Sequence, residues 1–225
     1  MKASQRGDPN FLQSIRSHLY TAVLSDVLDG CGFPNQAMAP SMRPLDESLV
    51  MAGFARTGLY RETYHVQPGE NPYELEIALV DDLKADDVVV FGCGGSRRIA
   101  PWGELLSTAS RARGAAGCVT DGLVRDIRAI RALAFPVFHG GIGPLDSKGR
   151  GVVAAIDIPV QCAGVLVQPG DVVVGDADGV VVIPRAVEER VLTQAFAKVN
   201  GENATRDELA AGAKLADVFA RHGIL

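Results

Sequence analysis

Cysteine, histidine and aromatic residues are scarce in this sequence, and no long apolar or basic run occurs. The four cysteines, Cys31, Cys93, Cys118 and Cys162, are widely spaced and form no C-x-x-C pair. They lie mostly inside apolar runs, which argues for buried free thiols in a reducing compartment and against disulfides or a thiolate zinc site. The four histidines, His18, His65, His139 and His222, make no H-x-x-x-H or H-E-x-x-H pattern, so any metal is expected to be oxygen-bound. No stretch approaches the roughly 18 apolar residues of a membrane span. The opening "MKASQRGDPNFLQSIRSHLY" is polar where a signal peptide has its apolar segment, so a soluble, cytoplasmic protein without a membrane partner is expected. The 22 basic residues are scattered and the net charge is −5, which argues against nucleic acid as a partner. Gly92, Gly94 and Gly95 fail to complete G-x-G-x-x-G because position 97 is Arg, and no phosphate-binding G-x-x-x-x-G-K-[ST] is present.

What remains is a chain of 225 residues, 47% hydrophobic, with enough apolar side chain for one large core, read as a single domain over 1–225. Two amphipathic stretches, "NFLQSIRSHL" and "TAVLSDVLDG", open it as helices, the second stopped by Gly30. Short apolar runs punctuated by Pro and Gly follow, ending in "DDVVVFGCGG", whose Val-rich centre predicts a buried strand. Then come a helix in "PWGELLSTASRARG" with Leu105, Leu106, Ala109 and Ala112 inward and Gly114 as its stop, a strand in "AAGCVT", a helix in "RDIRAIRAL" with Ile127, Ile130 and Leu133 inward, and a strand in "FPVFHG". This alternation predicts an α/β core. From Gly149, Val-rich runs separated by Pro-Gly-Asp and Asp-Ala-Asp-Gly turns predict a β-rich layer. "RAVEERVLTQAFAKVN" predicts a helix, and Thr205 with Glu208 a capping box for a shorter helix ended by Gly212.

In an α/β sheet, ligands collect at the turns that leave the carboxyl ends of strands. Two such turns carry polar residues here. One supplies Trp102, Gly103 and Glu104 with the free amides of a helix start at Leu105 and Leu106, which suit a carboxylate; the other supplies Asp121, Arg125 and Asp126. One helix plus one strand between Glu104 and Arg125 would set the two turns side by side. An Asp beside an Arg at a helix start also has a purely electrostatic explanation, because Asp complements the helix dipole.

The stretches "APWGELLSTASRARGAAGCVTDGLVRDI", "DSKGRG" and "PGDVVVGDADGVVVIP" resemble the regulator-of-ribonuclease-activity-A-like family, which includes the class II 4-hydroxy-4-methyl-2-oxoglutarate/4-carboxy-4-hydroxy-2-oxoadipate aldolases. The family signature, an acidic residue, twenty intervening residues and Arg-Asp, is met by Glu104, Arg125 and Asp126. The resemblance implies an α/β/β/α sandwich similar to the swivelling phosphohistidine domain, with N- and C-terminal helices, assembled as a trimer or hexamer. It also implies a lyase that releases pyruvate from a small 2-oxo acid, by retro-aldol cleavage or oxaloacetate decarboxylation. Asp126 would bind Mg²⁺ or Mn²⁺, and Glu104 a metal-bound water. Arg125 would clamp the pyruvyl unit, and the Leu105 and Leu106 amides beside Gly103 would receive its carboxylate. Glu202 would reach in as an acidic residue from a neighbouring subunit. A Schiff-base mechanism has poor candidates in Lys84 and Lys148, which lie in polar segments. Two positions depart from the common pattern: Ala129 stands where many members carry an acidic residue, and Gly140, after His139, where many carry Arg. A second reading, taken from the family's namesake, is a non-catalytic protein that binds a ribonuclease assembly.

Overall fold

The structure, a computed structural model, describes residues 5–66 and 68–223. Helices α1 (Phe11–His18) and α2 (Thr21–Gly30) lead into a short strand β1 (Arg43–Pro44) and the long strand β2 (Met51–Glu62). An alternating segment follows: α3 (Glu74–Asp81), β3 (Asp87–Gly92), α4 (Glu104–Ala112), β4 (Gly117–Val124), α5 (Ile127–Leu133) and β5 (Val137–Ile142). The β-rich segment holds β6 (Gly151–Ile156), β7 (Val160–Cys162), β8 (Val165–Val167), β9 (Val172–Asp176) and β10 (Gly179–Ile183). The chain closes with α6 (Glu188–Ala210) and α7 (Leu215–His222).

Strands β2, β3, β4 and β5 run parallel, as βαβ crossovers require, while β9, β10 and β6 join antiparallel. The order is β1-β5-β4-β3-β2-β9-β10, with β6 on the far half of β2. A bridge between Ala37 and Val181 brings the segment after α2 onto β10, so the sheet is nearly closed. Its continuous valine runs are explained by burial on both faces. On β3, Val88 and Val90 point into an inner core shared with Phe138, Val173 and the β7–β8 ribbon, whereas Val89 and Phe91 pack outward with side chains of α3, α4 and α5. On β9 and β10, Val172, Val174, Val181 and Ile183 face α1, α2 and α6. The layers are therefore helices, sheet, sheet and helices.

Several local expectations are corrected. The left-handed turn after α2 is made at Gly32 (φ 87°), while Gly30 remains helical. The region before β3 contains the twelve-residue β2 and α3, which its broken apolar pattern did not announce. Thr205 starts no helix: α6 runs continuously through it, and its hydroxyl donates to the Gly201 carbonyl at 3.3 Å, the back-bonding open to a mid-helix threonine. On α4, Leu106 and Ala109 pack inward as expected, but Leu105 and Ala112 are exposed, and Ser107 and Ser110 take the buried positions. There the Ser107 hydroxyl accepts from the Trp102 indole at 2.8 Å and donates to the Gly103 carbonyl at 3.0 Å. The α5 face of Ile127, Ile130 and Leu133 is inward as expected.

All four cysteines are free, and burial pushes the Cys93 thiol up to about 12, leaving it unreactive. Asp176, in the Gly-Asp-Ala-Asp-Gly turn, accepts from the amide and hydroxyl of Thr21 at 2.7 Å each, capping α2 from the sheet. Among the described residues, no helix is long and apolar enough to cross a membrane.

Candidate active site

Strand β4 ends at Val124, and the two residues that follow occupy the carboxyl edge of the parallel strands. The Arg125 amide donates to the Trp102 carbonyl at 3.0 Å, and Trp102 bridges Val124, so the β3–α4 loop is tied to the end of β4. Asp126 adopts a left-handed backbone (φ 59°, ψ 30°), a conformation that costs a non-glycine residue energy and is tolerated best by Asp and Asn. The consequence is directional. Asp126 makes no cap on its own helix; its Oδ2 instead accepts from the Glu104 amide at the start of α4, at 3.2 Å.

Gly103 is dictated by this approach, since a Cβ there would stand 2.7 Å from Asp126 Oδ2 and 3.3 Å from Arg125 Nε. The Gly103 backbone is itself extended, so Gly103→Ala is expected to leave the unfolding midpoint nearly unchanged while pushing Asp126 aside. Should the cavity be catalytic, a displacement of about 1 Å lowers turnover by about a hundredfold. Parallel urea unfolding and kinetics would check the separation.

With the Glu104 amide occupied, the Leu105 and Leu106 amides still have no intrahelical acceptor, and both residues line a cavity of about 300 Å³. Trp102, Arg125, Asp126 and Asp146 line it too. Arg125 Nη1 lies 3.6 Å from Asp146 Oδ1 and donates to the Leu145 carbonyl at 3.3 Å, while its Nε lies 3.6 Å from Asp126 Oδ2. The guanidinium is thus held between two carboxylates and remains partly exposed. The Glu104 carboxylate does not line this cavity: its Oε1 accepts from the Thr108 hydroxyl at 2.8 Å, one turn along its own helix.

The structure therefore brings Gly103, Leu105, Leu106, Arg125 and Asp126 to one cavity, whereas Glu104 joins them through its backbone amide and not through its carboxylate. Glu202 lies elsewhere in the protomer: on α6, in the layer packed on α2, it accepts from the Tyr20 hydroxyl, with Lys198 and Arg206 each 4.0 Å away. Asp121 is a structural clamp whose carboxylate accepts from the amides of Cys93, Gly95 and Ala163. His139 is a buried β5 residue whose imidazole is kept below its ordinary pKa by burial and by nearby Arg131.

Sequence reasoning missed part of the cavity. Tyr73 and Glu76, from α3 and its start, and Ser147, from the β5–β6 loop, complete its wall. The Tyr73 hydroxyl donates to Asp146 Oδ2 at 2.8 Å, and burial together with that carboxylate pushes the phenol up to about 12. Asp146 titrates below the usual carboxylate range, because the Tyr73 hydroxyl, neighbouring amides and Arg125 outweigh its partial burial. Glu76 goes the other way: burial raises it to about 7 in spite of a hydrogen bond from Tyr60. The available signal was the Asp-Ser-Lys-Gly-Arg-Gly segment, which delivers both Asp146 and Ser147.

The two departures also find a place. Ala129 is exposed beside a shallow depression that adjoins the cavity across Arg125 and Asp126. At Gly140 a Cβ would meet the Asp121 carbonyl at 2.4 Å, so an arginine could enter only by moving backbone; here Arg97 donates to the Gly140 carbonyl at 2.6 Å. A larger hollow of about 750 Å³, along β2 and the segment before α3, contains none of the predicted residues.

The profile of a family described as RraA-like, Aldolase/RraA, matches residues 21–182. The chain belongs to the RraA-like family. A protein of Halalkalibacterium halodurans, provisionally named a 4-hydroxy-4-methyl-2-oxoglutarate aldolase, is 36% identical over 189 residues, covering 84% of this chain and 83% of its own. A solved structure of Streptomyces coelicolor RraAS2, described as an unusual member of the RNase ES inhibitor RraA protein family, is 27% identical with a TM-score of 0.78, over 90% of this chain and 98% of that one. A chain described among novel cellulases from gut-associated microbes is 25% identical with a TM-score of 0.82, over 89% of each chain. The RraA-like fold expected from the sequence is thus the observed one.

Proposed function

We propose that this RraA-like protein is a divalent-metal-dependent lyase that cleaves a small 2-oxo acid to pyruvate. The substrate is of the 4-hydroxy-4-methyl-2-oxoglutarate type, oxaloacetate, or both. The observation that carries the reading is the convergence of Arg125, Asp126 and the Leu105 and Leu106 amides on one cavity. The aldolase name of the 36% identical relative supports it.

The donor set fits a hard cation sparingly. Among the described residues no three His, Cys, Asp or Glu side chains cluster as a metal cage. Mg²⁺ commonly takes one or two carboxylates and keeps several waters, and the half-exposed Asp126 carboxylate suits such an ion. Asp126 would hold Mg²⁺ or Mn²⁺ directly and Glu104 through water, with Glu202 of a neighbouring subunit completing the site in a trimer or hexamer. When bound, the ion supplies Lewis-acid stabilisation of negative charge on the substrate's C2 oxygen. The residues of the chain do the rest. The helix-start amides receive the substrate carboxylate, and Arg125, fixed between Asp126 and Asp146, offers its planar fork to the 2-oxo group and to the enolate left by C–C cleavage.

The test is pyruvate release from both substrates, coupled to lactate dehydrogenase, with Mg²⁺, Mn²⁺ or chelator and protein-free metal blanks. Metal-dependent release above the blank is the expected result; silence on both substrates with the oligomer intact would sink the reading. A second reading, a non-catalytic binder of a ribonuclease assembly, is supported by the description of the Streptomyces neighbour. Capture of RNA-degradation proteins without turnover of any 2-oxo acid would favour it.

A further inference from the structure

Resting on that reading, we infer that Glu76 is the acid that protonates C3 of the pyruvate enolate, with Tyr60 as the residue that positions its carboxyl. The first argument is one of place. On α3, Glu76 shares a buried face with Leu79 and Val80, at the i, i+3 and i+4 spacing that marks an apolar stripe. A glutamate is only 7% exposed there, where any aliphatic residue would cost less.

The second argument is one of partners. Among the described residues, the other buried carboxylates are matched by strong donors. Glu188 is gripped by Arg6, Asp171 accepts from the amides of Gln168 and Arg185, and Asp87 accepts from the Lys84 amide and lies 3.6 Å from Arg56. Glu76 instead accepts from the neutral Tyr60 hydroxyl. Around it stand Tyr60 from β2, Tyr73 at the start of α3, Cys93 just after β3, Arg125 just after β4 and Asp146 from the β5–β6 loop. Arg125 favours its ionised form and Asp146 opposes it, so no cation is committed to it. Burial then keeps a substantial share of the carboxyl protonated at neutral pH.

The third argument is one of access. Glu76 lines the same cavity as Arg125, Asp126 and the α4 amides, so a proton on it is presented where the enolate would form. The step balances. The electron pair released by C–C cleavage resides in the enolate, C3 takes the hydrogen from Glu76 with that pair, and the carboxyl O–H bond breaks. The carboxylate that remains accepts the Tyr60 hydrogen bond and is reprotonated by water. Run backwards, the ionised Glu76 removes a proton from the methyl group of pyruvate.

The test is exchange of pyruvate methyl protons in D₂O, followed by proton NMR with Mg²⁺ or Mn²⁺, on the intact oligomer and on Glu76→Gln. Glutamine keeps the shape and can still accept from Tyr60. Exchange and pyruvate release are expected to fall by about 10²- to 10⁴-fold while the Kd for oxalate, a planar enolate mimic, stays within about threefold. In Tyr60→Phe the hydrogen bond that favours the carboxylate is gone, so the rise of exchange with pH is expected to move to higher pH. A tyrosine that only packs would scale the rate without moving the inflection. If the wild type releases pyruvate and Glu76→Gln exchanges as fast, or if Glu76→Gln loses oxalate binding along with rate, this inference falls and the lyase reading stands. If the wild type neither releases pyruvate nor exchanges its protons, the lyase reading falls and the inference with it.

Discussion

Asp126→Asn is expected to lower metal-dependent pyruvate release by about a hundredfold or more with the fold intact, since loss of a residue that only supports a metal ligand already costs about 10- to 100-fold. Asparagine suits the position because it tolerates the left-handed backbone almost as well as aspartate, and its side-chain oxygen can still accept from the Glu104 amide. What it removes is the negative charge. Alanine would add backbone strain and leave the α4 amide without its acceptor, so the asparagine variant isolates the electrostatic effect. The readouts are kcat against metal concentration and, independently of turnover, Mn²⁺ affinity by electron paramagnetic resonance. Wild-type affinity and turnover in Asp126→Asn would show that Asp126 serves only to bind the β4 exit to α4.

The second large effect is on stability. Glu76 ionises near 4.5 in an unfolded chain and at about 7 in the folded protein, so between those values the folded state holds the extra proton. Stability falls with rising pH wherever the folded state binds more protons. The contribution is therefore full below about pH 4.5 and is lost as pH passes 7, a loss of about 3 kcal/mol. Glu76→Gln has no such step. In urea unfolding at fixed protein concentration, the variant should gain about 3 kcal/mol on the wild type between pH 4.5 and 8 and be the more stable protein at pH 8. A constant difference across that range would mean that Glu76 ionises normally and is open to water.

Much of this molecule was legible in its sequence because the signals were local. Val-rich runs between turn residues gave β3, β9 and β10, and a periodicity near 3.6 gave α5 with its inward Ile127, Ile130 and Leu133. Local signals also misled. Thr205 and Glu208 have capping-box spacing, yet the helix passes through them, because a cap signal means nothing where the preceding turn is already helical. Leu105 was expected inside and is exposed, because α4 buries its serine side under Trp102 and leaves its start open at the cavity.

The sequence by itself determined the alternation of strands and helices and, through one helix and one strand, the placement of the Gly103–Glu104 turn beside Arg125 and Asp126. Each of these depends on residue type and spacing along the chain. Only the tertiary structure decided that Asp126 turns its carboxylate away from its own helix, that Asp146 from a distant loop fixes Arg125, and that a glutamate on an unannounced helix lines the cavity while accepting from a tyrosine of β2. Those facts depend on burial and on contacts between segments far apart in sequence, and a carboxyl group takes its proton affinity from what surrounds it in space.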